Sequence, residues 1–296
     1  MPRSLATLAL LLTTMIWGFA FVAQKSAMES MGPLTFIGVR YLLGALIVVP
    51  LALREWRRQN RRLNRFETLM IGLIALNFFL GVYLQQAGLT MTTATNGGFL
   101  TSLYVLIAPL VAWVLLKMRP HPILVIATPM ALVGVYWLNG ARFTDLNFGD
   151  ALVLLSALAW AVQVALIGEI SKRTGLPITI SVISFLVTAL AGLVGMALFE
   201  KPDLAIITAH WPQLGYTAVF STAIAFTLQA VAQQYVPPAN AAIVLSAEGL
   251  FAALGAALIL GDRLAPLGYA GAALIFAAIV LVEVIPALRQ HFRAAA

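Results

Sequence analysis

Few side chains in this chain could contact a solute, and they recur at helical spacing. Asn77, Gly81 and Gln85 stand at i, i+4 and i+8 and so share one helix face; Ser221, Ala225 and Gln229 repeat the pattern. Asn96, Leu100 and Tyr104 form a third stripe, with Asn240, Val244 and Glu248 as a fourth. Trp17, Phe21 and Gln24 share another face, as do Ser156, Trp160 and Gln163. Amides donate and accept hydrogen bonds, and an indole adds a broad apolar wall with one N–H donor. Such a set suits reversible enclosure of a small amphipathic molecule. It suits hydrogen bonding between neighbouring helices equally well, at about 0.6 kcal/mol per contact. The candidate solute contacts are therefore Trp17, Phe21, Asn77, Gln85, Asn96, Tyr104, Trp160, Gln163, Gln229, Asn240 and Glu248.

Two charged residues join that set. Arg40 falls well inside an apolar stretch, about 9 Å from the start of its helix, where it could bind a carboxylate or pair with a backbone carbonyl. Lys25 sits nearer a helix end and could extend to the interface. Glu248 is the one acid near the middle of an apolar stretch. A carboxylate buried in charged form is costly, which makes Glu248 a candidate proton carrier; a neutral Glu hydrogen-bonded across helices fits as well. Covalent chemistry is not expected. The chain has no cysteine, no G-x-S-x-G and no H-E-x-x-H, and His121, His210 and His291 lie at or beyond the ends of apolar stretches. No cofactor and no metal is expected.

The elements that must position these residues follow from composition. Of 296 residues 61% are hydrophobic and 10% charged, and the mean hydropathy is +0.96. That is too much apolar surface for a water-soluble globule. Crossing a bilayer takes about 20 helical residues. Ten such stretches run approximately over 5–25, 34–53, 67–88, 94–116, 121–139, 149–170, 178–198, 212–234, 239–260 and 266–286. They are continuously apolar, unlike the alternating strands of a barrel. The fold class is an all-α polytopic membrane protein.

The second half is a weak copy of the first. Trp17/Trp160 are 143 apart, while Pro33/Pro177, Gln85/Gln229, Asn96/Asn240, Ser102/Ser246, Arg119/Arg263 and Pro122/Pro266 are 144 apart. The unit holds five spans, and an odd unit inserts upside down, so residues 1–146 and 147–296 are expected to form two inverted five-helix repeats. Of the Lys and Arg residues outside the spans, 13 fall on one side and 4 on the other. The positive-inside rule then puts both termini in the cytoplasm. The Arg-rich loop 54–65 is that topological anchor, with anionic lipid as a secondary contact and no nucleic acid as partner. Gly249, Ala253, Ala257 and Gly261 form a small-residue stripe expected to pack the ninth span on the tenth, or to serve a homodimer.

Trp17-Gly18, Lys25, Pro33 and Arg40, and the segment Leu245–Ile275 with its acid, small-residue run and Gly-Asp pair, resemble EamA-type members of the drug/metabolite transporter superfamily. Two departures stand out. Gly249 occupies a position where the family often has proline, so a kink there must arise differently or be absent. The fourth span ends Lys117-Met118-Arg119 in place of a Gly-Glu pair. The resemblance implies a ten-helix secondary transporter of the bacterial inner membrane that exports small metabolites. Its nearest look is to amino-acid exporters of the YddG type, with multidrug or quaternary-amine export as the alternative. A structural membrane protein is the non-transport alternative.

Overall fold

The computed structural model describes residues 1–59, 62–138, 147–202, 204–259 and 266–294. Arg61, Arg142, Gly261 and Arg263, and the side chains of Arg289, His291 and Arg293, lie outside the described residues. Within them the chain forms helices joined by short turns, without strands. The elements are α1 (Arg3–Ala27), α2 (Pro33–Arg58), α3 (Arg65–Leu89), α4 (Ala94–Ser102), α5 (Tyr104–Leu116), α6 (Leu124–Leu138) and α7 (Phe148–Thr174). There follow α8 (Pro177–Gly195), α9 (Leu204–Ala209), α10 (Trp211–Tyr216), α11 (Thr227–Ala232), α12 (Pro238–Leu245), α13 (Glu248–Ile259) and α14 (Pro266–Ala294). Among the described residues eight stretches are long and apolar enough to cross a bilayer, and Leu124–Leu138 and Pro266–Val282 are shorter apolar helices. Leu8, Leu46, Leu76, Leu190 and Leu258 stand exposed on the outside, as a lipid-facing surface requires.

Local sequence sets the helix starts. Asn64 with Glu67, and Asn147 with Asp150, form reciprocal capping boxes at α3 and α7. Pro33 and Pro177 open α2 and α8, where a missing N–H costs nothing. Gly175, at φ 71°, ends α7.

Two of the expected spans are each broken in the middle. The fourth divides into α4 and α5 at Leu103, and the ninth into α12 and α13 at Ser246–Ala247. The hydroxyls of Ser102 and Ser246 bond back to Gly98 O (2.8 Å) and Ile243 O (2.7 Å), a contact that bends helices. The helix is thus interrupted beside Gly249 without proline.

The eighth span is also irregular. Thr217–Phe226 between α10 and α11 is wound as a wide π-helix, as is Met196–Glu200 after α8.

Packing pairs the two halves. The closest pairs are α2 with α8, α3 with α7, α6 with α14, and α1 with α13. α2 and α8 run antiparallel, each start lying beside the other's end, as inversion demands. Backbones touch where side chains are missing: a Cβ on Gly192 would stand 2.5 Å from Gly38 N, and one on Gly271 2.4 Å from Gly134 O. Among the described residues α13 packs chiefly on α1 and α4, and the ninth span meets the tenth mainly through α12. Phe251 and Ala252 instead fit over Gly18 of α1, and Gly249 faces Ser102 of α4.

Candidate functional site

The two tryptophans meet around the pseudo-twofold axis. Trp17 donates its indole N–H to Ser221 O (3.1 Å), and Trp160 donates to Gln85 Oε1 (2.6 Å). Both rings pack on Phe226, at centroid distances of 4.5 and 5.8 Å. Tyr41 and Phe185, themselves 144 apart, close the cluster at 5.9 Å. Beside it lies a cavity of about 40 Å³, room for on the order of three waters. Its walls are largely twinned by the repeat: Trp17 and Trp160, Gln85 and Gln229, Val82 and Phe226, Thr101 and Leu245, Tyr104 and Glu248.

Charge breaks that symmetry. Arg40 lines the cavity, and its repeat mate is Ser184. Arg40 is 3% exposed, its guanidinium donating from Nε to Thr222 Oγ1 (2.9 Å), from Nη1 to Gln24 Oε1 (2.9 Å) and from Nη2 to Ser221 Oγ (2.8 Å). Thr222 and Ser221 belong to the π-wound stretch. All three acceptors are neutral. A guanidinium carries five N–H donors, so one on each Nη remains, and among the described residues no carboxylate pairs with it.

Glu248 opens α13, where the helix dipole favours an anion. Its carboxyl and the Tyr104 hydroxyl approach each other in the cavity. Among the described residues, neither Tyr104 OH nor Glu248 Oε1 has a partner at hydrogen-bond geometry. The broken turns after Ser102 and Ser246 put these two residues at helix starts facing the axis, the discontinuous-helix arrangement that secondary transporters use.

Of the sequence candidates, Trp17, Phe21, Arg40, Gln85, Tyr104, Trp160, Gln229 and Glu248 line this cavity. Four others stand elsewhere. Asn77 donates from Nδ2 to Ala159 O (2.9 Å), tying α3 to α7. Asn240 donates from Nδ2 to Val282 O (3.0 Å), tying α12 to α14. Asn96 serves the first turn of α4, its backbone N–H donating to Thr93 Oγ1. Gln163 is buried outside the cavity. Lys25 bonds to Leu89 O at the end of α3 (3.0 Å), where a cation complements the dipole. Gln24, Tyr41, Val82, Thr101, Val164, Ser221, Phe226 and Leu245 also line the cavity without being singled out as solute contacts. The repeat offset would have reached two of them, Ser221 from Asn77 and Val164 from Phe21, whereas Val82 with Phe226 and Thr101 with Leu245 pair only with one another.

The EamA-like transporter family matches the chain twice, over residues 4–140 and 147–284. The chain belongs to this family. Among relatives of this EamA-like protein, an uncharacterized transporter of Archaeoglobus fulgidus is 34% identical over 281 residues, covering 95% of this chain and 86% of the relative. The uncharacterized transporter YwfM of Bacillus subtilis is 27% identical over 307 residues, covering 100% and 99%. A crystal structure at 19% identity superposes with a TM-score of 0.77, covering 96% of this chain and 98% of the other, a likeness of fold. The EamA-like chain is a multi-pass membrane transporter.

Proposed function

We propose that this transporter exports small amino acids by alternating access. The observation that carries the reading is Arg40, a buried cation on the cavity wall with three neutral partners, unfilled donors on both Nη atoms and no carboxylate. A buried charge without a counterion is costly. A substrate carboxylate received by that fork supplies the missing anion, through the strongest common class of hydrogen bond. Trp17, Trp160 and Phe226 offer an apolar wall to a side chain, and Glu248 an acceptor to an ammonium group. The cavity has room for on the order of three waters, so loading any but the smallest amino acids requires the two halves to part. That fits a site opened to each side in turn. The charge asymmetry supports a cytoplasmic Met1 face, and the reading takes the membrane to be a bacterial inner membrane.

The rival reading, export of organic cations, rests on Glu248 Oε1, buried without a partner among aromatic rings. Counterflow in liposomes of purified protein separates the two. Neutral amino acids should exchange faster than organic cations of similar size; the reverse ranking selects the cation exporter. No exchange of either points to another class of substrate.

A further inference from the structure

Two helices that cross between the repeats begin without a cap of their own. The N-cap positions of α2 and α8 are Gly32 and Leu176, neither of which offers a side-chain acceptor. In each case the other repeat supplies one. Glu200, on the π turn ending α8, accepts at Oε1 from Leu34 N (2.8 Å) and at Oε2 from Thr35 N and Thr35 Oγ1 (both 2.7 Å). Glu55, near the end of α2, accepts at Oε1 from Ile178 N (3.2 Å) and at Oε2 from Thr179 N and Thr179 Oγ1 (both 2.7 Å). The clamped segments Pro33–Thr35 and Pro177–Thr179 are 144 apart, and the two acids 145. Inversion therefore sets one clamp at each end of the same antiparallel pair. The 20 residues from Thr35 to Glu55 span about 30 Å of helix, the thickness of the hydrocarbon core.

We infer that Glu55 and Glu200 are paired latches between the repeats, and that each access state opens by releasing one while the other holds. The inference rests on the alternating-access reading. Each clamp joins a helix of one repeat to a helix of the other, so the halves cannot separate at one face with the clamp there intact. Both are closed here, in keeping with the narrow cavity between them. A helix start freed by release presents two orphan N–H groups, which water entering from that side can satisfy; a face still sealed offers no such replacement. Because the repeat makes the latches chemically alike, release at either face breaks the same set of charge-assisted bonds, which keeps the two open states close in free energy. Gly32 seats the Glu200 carboxylate, since a Cβ there would stand 2.3 Å from its Cδ. The Arg54 and Arg58 side chains border a pocket beside Glu55.

The absence of native cysteine allows a direct test. Val164→Cys, on the cavity wall, is probed in vesicles of both orientations with a membrane-impermeant maleimide. Glu55→Ala should raise labelling from the Met1 face about tenfold, with the opposite face unchanged, and Glu200→Ala should do the reverse, as expected for losing bonds to a charged group. Thr179→Val and Thr35→Val remove the hydroxyl bond to the acid at each latch, Thr179→Val also a longer contact to Ala52 O, and should shift labelling in the same directions by about threefold, which keeps the test available if an alanine variant does not fold. Equal rises from both faces, or no change in folded variants, would overturn the latches. If Val164→Cys with both acids intact is reached from each face and neither variant alters this, alternating access stands and the latches fall. Labelling confined to one face in every variant overturns both.

Discussion

Replacing Arg40 tests the site most directly, because its three bonds can be weighed against those left for a substrate. Arg40→Lys keeps the charge and replaces the planar fork by one nitrogen, which cannot reach Thr222 Oγ1, Gln24 Oε1 and Ser221 Oγ along three separate N–H vectors. A hydrogen bond to a charged group contributes about 1.5–3 kcal/mol. Losing one to the substrate carboxylate predicts a rise in half-saturation of about 10- to 100-fold, at 1.4 kcal/mol per factor of ten. The matching decarboxylated amine makes no such bond and should change by less than about threefold. The assay is counterflow exchange of an amino acid and its amine in parallel, with folded protein matched by size-exclusion recovery and thermal midpoint. Equal losses for both solutes, or an unaltered amino acid half-saturation, would refute Arg40 as the carboxylate receptor and leave it a structural cation.

Glu248→Gln keeps shape while abolishing titration; if Glu248 carries the coupling proton, accumulation driven by a pH gradient is lost and substrate exchange persists. Trp17→Ala and Trp160→Ala should impair exchange more than folded yield, with Trp17→Phe milder, whereas Asn240→Ala should lower stability by about 0.5–1.5 kcal/mol through loss of the α12–α14 bond to Val282 O and leave exchange per folded molecule intact. Gly192→Val forces side-chain atoms onto the Gly38 backbone and should destabilise by about 1–3 kcal/mol, read as a lower thermal midpoint. Tags at Met1 and Ala296 should both report a cytoplasmic location and a tag near Asp145 a periplasmic one; termini on opposite faces would remove the proposed topology.

By itself the sequence determined that the chain lives in a membrane, that it is built from an inverted duplication, and which pairs of residues to look for near its axis. Long apolar runs leave no other solvent, an odd repeat has no other way to insert, and a residue needed where two copies meet is written twice. Trp17 and Trp160, Gln85 and Gln229, and Tyr104 and Glu248 were legible for that reason. Helical periodicity states which residues share a face, yet not what that face meets. Asn77, Asn96 and Asn240 share stripes with cavity residues but are held at helix joints and starts, because a turn of helix rotates each residue toward a different neighbour. Arg40 acquires its role from Ser221 and Thr222, some 180 positions away on a π-wound stretch that leaves no mark in the sequence. The bends after Ser102 and Ser246, and the clamps of Glu55 and Glu200, likewise depend on which backbone groups another element leaves unsatisfied. That is fixed only when the two halves pack.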